Sequence, residues 1–471
     1  MSKKDEKVDV KALQEKLTVD RKNGAAKLDA SVIKKADKFC EGYKDFLAHA
    51  KTEREAVTEA IRIAEEAGFV PYDPMATYKA GDRVYVNNRG KAIMLAVIGT
   101  EGTRQGVHIA AAHIDNPRLD LKPHPVFEKD GLAQFKTHYY GGIKKYQWTA
   151  IPLSMHGRIC RKDGSFVDIT LGEKPGEPQF TVTDLLVHLA REQLKKPLGA
   201  SIEGEKLNIL IGSRPLEGAD EDGKDLVKLN VLNILNEKFG ITEEDFVSAD
   251  IAFVPAAAPV DIGFDRSMVG SYGQDRSCAY AALMAVVKAK TPYRTIVTVL
   301  ADREEIGSDG NTGLNSSFMR YFIEDLAEAD GVAPRHVLSR SRCLSADVTA
   351  AYDPNYPEVY EAMNSTYLNG GVGMSKYTGA GGKSGTNEAS AEFVSEIRRI
   401  FDENDVLWQI GELGAVDAGG GGTVAMYIAN LNVDVVDVGV PVLSMHAPFE
   451  VTSKIDEYMT YKGIKAFYES K

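Results

Sequence analysis

The sequence predicts an α/β protein: a mostly parallel sheet flanked by helices, carrying an inserted β-rich second domain. Three observations lead there. Short strands too apolar to face water alternate with helical patterns before about residue 118 and again after about residue 256. Between them lies a stretch of different texture, irregular and rich in Gly, Pro and acidic residues. The 471 residues also exceed the roughly 100 to 200 of a single domain, so more than one core can form. Residues 1–118 and 256–471 are therefore expected to make one discontinuous domain, and residues 119–255 the insert.

In chain order, residues 31–67 carry apolar side chains at three- and four-residue spacing up to Gly68, which predicts one or two amphipathic helices. RVYVNN, KAIMLAVIG and GVHIAAAH then read as strands, the last two apolar enough to be buried on both faces. In the insert, KLNVLNILNEKFG predicts a helix stopped by Gly240, followed by the alternating run DFVSADIAFVPAAAPVDIGF. Beyond it, CAYAALMAVVKAK, SSFMRYFIEDLAEA and ASAEFVSEIRRIFDEN read as helices, and TIVTVLAD, CLSADV and NVDVVDVGVPVLSM as strands. Such alternation favours parallel strands joined by crossover helices.

Composition removes several function classes. With 56 basic against 68 acidic residues the net charge is −12, which argues against a nucleic-acid surface, where clustered Lys and Arg must neutralise phosphates. The segment MSKKDEKVDVKALQEKL is charged where a secretory signal needs about 7 to 15 apolar residues, and no run approaches the roughly 20 that span a bilayer. A cytoplasmic protein without membrane contact is expected. Cys40, Cys160, Cys278 and Cys343 form no CxxC pair and read as four buried thiols.

In an open α/β sheet, ligands bind beyond the carboxyl ends of the strands. There stand His113 with Asp115, Glu304 with Glu305, Asp347, and His446, while Asp275 immediately precedes a helix. Polar groups at the ends of apolar strands are costly to bury without a partner. Two histidines and several carboxylates without a thiolate suit zinc, cobalt or manganese. Five ligands, His113, Asp275, Glu305, Asp347 and His446, match the count for two metal ions if one carboxylate is shared. Glu304 is then spare as a general base, and Asp115 is suited to accept the second N–H of His113. Taken singly, each signal has a structural reading: a hydrogen-bonded strand-end His, an exposed Glu pair, an N-capping Asp.

The blocks AAHIDNPRLDLKP, YYGG with Trp148, LLVHLA, GQDRSCAY, DREEIGSDG, LSADVTAAYDPNYP, GGGGTVAMYIAN and DVGVPVLSMHAPFE occur in this order. In them the chain resembles the zinc aminopeptidases related to aspartyl aminopeptidase, a family of co-catalytic metallopeptidases. The resemblance covers most of the chain and implies His113 and Asp347 on one zinc, Glu305 and His446 on the other, and Asp275 as the bridge. It implies Glu304 as general base, and His188 as a residue presented by the inserted domain to a neighbouring subunit's active site within a large homo-oligomer. From the residues alone, His188 reads as a helix-surface or core histidine.

Two departures concern support and specificity. The family commonly has Asp-Asn-Leu where this chain has Asp275-Arg276-Ser277. Asp353 stands where aspartyl aminopeptidases place a histidine, which leaves only Lys376 and Lys383 nearby to meet an acidic substrate residue. Asp353 also fits a turn cap before Pro354. The glycine run 419–422 lacks phosphate-loop spacing and is read as close backbone approach to the substrate or metal centre, with Gly422 lining it.

The expected activity is removal of N-terminal residues from short peptides with a free N-terminus, by a water activated between two metals. The alternatives are a dizinc deacylase or carboxypeptidase of the same architecture, and a non-catalytic assembly protein.

Overall fold

The computed structural model describes residues 9–19, 23–219 and 223–471. Its centre is a nine-stranded sheet ordered Val70–Pro71, Arg83–Asn88, Ala92–Val97, Ile296–Ala301, His108–His113, Arg342–Ala346, Asp434–Gly439, Val372–Ser375 and Trp408–Ile410. Five of its pairings are parallel and three antiparallel. The four neighbouring strands 296–301, 108–113, 342–346 and 434–439 are mutually parallel, so their carboxyl ends lie along one edge.

The near-continuous apolar runs follow from burial on both faces. In His108–His113, Ala110 and Ala112 pack into one core and Ile109 and Ala111 into the other. The first core is covered by Ala30–His49, Glu53–Glu66, Ser277–Val287, Ala391–Glu403 and Lys454–Glu469, the second chiefly by Phe318–Ala329. The result is helix, sheet and helix in three layers, the α/β class expected.

Residues 118–255 build a separate, wholly antiparallel seven-stranded sheet with its own core around Phe135, Trp148, Phe246 and Phe253. Its long strands, Arg118–Lys129 and Leu132–Tyr140, are more regular than the sequence texture implied. The helix Leu226–Phe239 ends at Gly240 in the left-handed conformation, φ 65°, as its glycine stop predicts. This sheet meets the helices beside the central sheet through ionic contacts: Lys51 reaches Glu173 at 2.9 Å, and Glu55 lies 2.8 Å from His156.

Some expectations need correction. The run 432–445 is two strands rather than one: Asp434–Gly439 belongs to the central sheet, and Pro441–Leu443 to a third sheet of five strands. Proline lacks the N–H that a continuing central strand would require, so the chain changes sheet there. Cys160, at the end of Leu153–Cys160, is exposed; only Cys40, Cys278 and Cys343 are buried. Among the described residues no helix is long and apolar enough to cross a membrane.

Candidate metal centre

Four segments leave the common edge of the parallel strands and converge on one cavity. His113 ends its strand, the turn bearing Glu304 and Glu305 follows Ile296–Ala301, Asp347 follows Arg342–Ala346, and His446 follows the crossing into the five-stranded sheet. Asp275 joins them from the turn before Ser277–Val287. All six line the cavity, together with Gly422, Thr423 and Asp437. Gly439 permits this crowding: a Cβ there would lie 1.6 Å from the Asp347 carbonyl oxygen.

The distances describe a ligand set. His113 Nε2 lies 3.3 Å from Asp347 Oδ1, and His446 Nε2 lies 3.5 Å from Glu305 Oε1 and 4.0 Å from Asp275 Oδ2. Two trios, His113 with Glu304 and Glu305, and Asp275 with Glu305 and His446, each offer donor atoms within 4.8 Å of one another. Asp275 Oδ1 and Glu305 Oε1 are buried and accept no hydrogen bond. Buried carboxylate oxygens without donors, facing imidazole nitrogens and no Lys or Arg in the lining, fit a divalent cation.

The surroundings aim the imidazoles. His113 Nδ1 is 3.0 Å from the Asp115 carbonyl, and His446 Nδ1 is 3.0 Å from the Gly142 carbonyl. A carbonyl only accepts, so each Nδ1 carries a proton and each Nε2 is the nitrogen turned to the cavity. The Asp115 carboxylate lies 3.4 Å from His113 Nδ1 and does a second task. Its two oxygens accept the backbone N–H groups of Glu304 and Glu305, both at 3.1 Å, and Tyr140 Oη donates to Oδ2 at 2.8 Å. That turn is strained, with positive φ at Arg303 and Ser308, as is His446 at φ 65°. Glu450 restrains the latter by accepting the N–H of His446 on one oxygen and that of Gln274 on the other, each at 2.7 Å.

Proton affinities follow from burial and crowded negative charge. Burial, reinforced by Asp347, pushes Glu304 up to about 8. Burial and Asp275 push Glu305 well above the usual carboxylate range. For His113, burial alone would lower the value, but Asp347 and the contacts to Asp115 outweigh it and raise it well above 6.5. Burial pushes Asp437 in the cavity lining up to about 7, against the opposing effect of Thr423, which donates to Oδ1 at 2.6 Å.

The remaining residues named from sequence lie elsewhere. His188 is exposed in the turn Val187–Leu189 and does not line the cavity. Asp353 accepts from the N–H and the side-chain amide of Asn355, both at 2.9 Å, which is a turn cap, and it too is absent from the lining. Lys383 pairs with Glu388 at 2.7 Å above the Tyr377 ring, and neither it nor Lys376 lines the cavity. Arg276 is fully buried, its guanidinium 5.5 Å from the centre of the Tyr272 ring. Sequence reasoning gave no role to Tyr140, Gly142 or Glu450. The YYGG block and the Glu four residues after His446 were the available signals.

Residues 46–468 match the sequence model of the family described as aminopeptidase I zinc metalloprotease (M18). The chain belongs to the M18 family. It is 48% identical over 460 residues to the probable M18 family aminopeptidase 1 of Clostridium acetobutylicum, covering 96% of this chain and 98% of that one. The crystal structure of an M18-family aminopeptidase from Thermotoga maritima superposes with a TM-score of 0.92 at 43% identity, covering 96% of this chain and 100% of that one. The mApe1 dodecamer of S. cerevisiae shares the fold at 19% identity and a TM-score of 0.73, covering 93% and 96%. The protein is thus a hydrolase, a zinc-dependent aminopeptidase.

In metal-free enzyme, Glu304 binds its proton more tightly folded than unfolded. Its contribution to stability is therefore greatest below its ordinary value of 4.5 and declines as pH rises to about 8. His113 acts in the same direction, since its raised affinity stabilises the fold fully below 6.5 and is lost as pH climbs through the raised value. Metal binding needs the deprotonated ligands, so it reverses this trend. Thermal unfolding of chelator-treated protein should show Tm falling between pH 5 and 8, with zinc restoring more at pH 8 than at pH 5. A Tm of the metal-free form that rises across this range contradicts the assignment.

Proposed function

We propose that this aminopeptidase removes N-terminal residues from short peptides by a two-metal hydrolysis with Glu304 as general base. The observation that carries this reading is the cavity's surplus of carboxylates: a ligand set with buried, donor-free oxygens, and beside it Glu304 facing the same space. His113 and Asp347 would hold one ion, Glu305 and His446 the other, and Asp275 would be shared. A second assignment, with Glu305 shared, draws on its membership of both donor trios.

When bound, the ions supply Lewis-acid polarisation of the scissile carbonyl and lower the pKa of water. Glu304 takes the proton of the attacking water and hands it to the leaving amine. Asp115 keeps the Glu304 and Glu305 backbone in place, while His113 and His446 present Nε2 to the cavity. Gly422 lets the peptide backbone approach. Zinc is the expected metal, with cobalt or manganese chemically compatible.

Residues 119–255 are proposed as an inserted assembly domain. Around His188 the side chains of Leu185, Leu186, Val187, Leu189, Leu194 and Leu198 are all exposed, an apolar face suited to a second copy of the chain. The dodecamer of the S. cerevisiae relative supports such an assembly; within it, we propose, His188 is offered to a neighbour's cavity. The three buried free thiols support a reducing, cytoplasmic setting.

Glu304→Gln should keep the metal and lower kcat by about 10²- to 10⁴-fold. Near-wild-type turnover of the metal-loaded variant excludes Glu304 as base. Peptides with a free N-terminus should be cut and their N-acetylated forms left intact; equal cleavage of both would favour a deacylase or carboxypeptidase. For the assembly face, Leu189→Glu with Leu194→Glu should shift native mass to smaller species, and an unchanged mass refutes that surface.

A further inference from the structure

The turn 140–142 belongs to the inserted sheet, yet three of its groups face the metal centre. Tyr140, the last residue of Leu132–Tyr140, pairs in register with Arg118 and donates its hydroxyl to Asp115 Oδ2 at 2.8 Å. Gly141, at φ 74°, passes so close that a Cβ on it would lie 3.3 Å from Glu305 Cβ. The Gly142 carbonyl meets His446 Nδ1 at 3.0 Å. The central and five-stranded sheets therefore supply the candidate ligands, while the inserted sheet supplies the groups that orient two of the segments bearing them.

We infer that the turn 140–142 is a positioning element that completes the metal centre, so that zinc retention and turnover depend on the seating of the inserted sheet. This rests on the reading of His446 and Glu305 as ligands and Glu304 as base. Asp115 must hold two backbone N–H groups at once, one on each oxygen. A carboxylate free to rotate about its Cβ–Cγ bond would release one of them, and the Tyr140 hydroxyl on Oδ2 opposes that rotation. At the other ligand segment, the Gly142 carbonyl fixes the tautomer that leaves Nε2 of His446 available. Tyr140 is itself held by the Arg118 guanidinium, 3.9 Å from its ring centre, and Arg118 binds Asp120 at 2.7 Å and Glu53 at 3.2 Å. Arg118 thus ties the turn to the helix Glu53–Glu66 of the catalytic layers.

Tyr140→Phe tests this with little risk to folding, because the ring and its stacking on Arg118 remain. Zinc retention of the full-length protein is measured by competition with a chromophoric chelator, and kcat and KM are measured separately on a short peptide. The variant should lose zinc about 10-fold more readily and lose about 10-fold in kcat with KM little changed, the size expected for a partner behind a metal ligand. Gly141→Ala, which pushes the turn off Glu305, should weaken zinc retention in the same direction. His446→Ala serves as the reference for ligand loss. If His446→Ala loses zinc while both turn variants retain it with wild-type affinity and kcat, the inference is overturned and the ligand assignment stands. If His446→Ala also keeps full zinc, the ligand assignment fails and the inference falls with it.

Discussion

The structure is organised around one electrostatic constraint: Asp275, Glu304, Glu305 and Asp347 share a cavity whose lining contains no Lys or Arg. Isolated buried carboxylates are strongly disfavoured unless they are protonated or neutralised. Here both responses are visible. Glu304 and Glu305 have raised proton affinities, and the donor-free Oε1 of Glu305 faces His446 Nε2 at 3.5 Å while Oδ1 of Asp275 is buried without a donor. The fold thus carries an unfavourable arrangement that a divalent cation resolves.

That arrangement is sustained by groups that never enter the cavity chemistry. Asp115 captures two consecutive N–H groups of a turn with left-handed residues at Arg303 and Ser308. Glu450 bridges the backbone beside Asp275 to that of His446, joining the two sides of the cavity through one carboxylate. Backbone carbonyls set both histidine tautomers. Rigidity is expected where like charges must be kept together, and these contacts come from the central sheet, the small five-stranded sheet and the inserted sheet.

Much of this was legible in the sequence. The strands ending at His113, Ala301 and Ala346 are apolar on both faces, so the polar residues directly after them announce themselves. The alternation of strand and helix carried the α/β class. The sheet change at Pro441 was not legible, because 432–445 keeps an apolar character through both sheets. The helix Lys454–Glu469 escaped as well, since it buries Lys454, Asp456 and Glu457 beside its apolar residues and so blurs the amphipathic pattern. Asp353, Lys376 and Lys383 lie in segments whose path no periodicity specifies, which is why a pocket role and a turn cap looked alike. Tyr140 reaches Asp115 and Gly142 reaches His446 across long sequence separations, and Glu450 joins the nearby His446 to the distant Gln274 through backbone N–H groups; side-chain pattern does not encode such contacts.

We propose that the crowded carboxylates hold two metal ions about a shared carboxylate. The most direct test is an anomalous-scattering map of zinc-loaded crystals. Two peaks should lie in the cavity, one beside His113 and Asp347 and one beside Glu305 and His446, with the Asp275 carboxylate between them; Glu305 between them would select the other bridge. A single peak, or zinc bound away from these residues, would contradict the account.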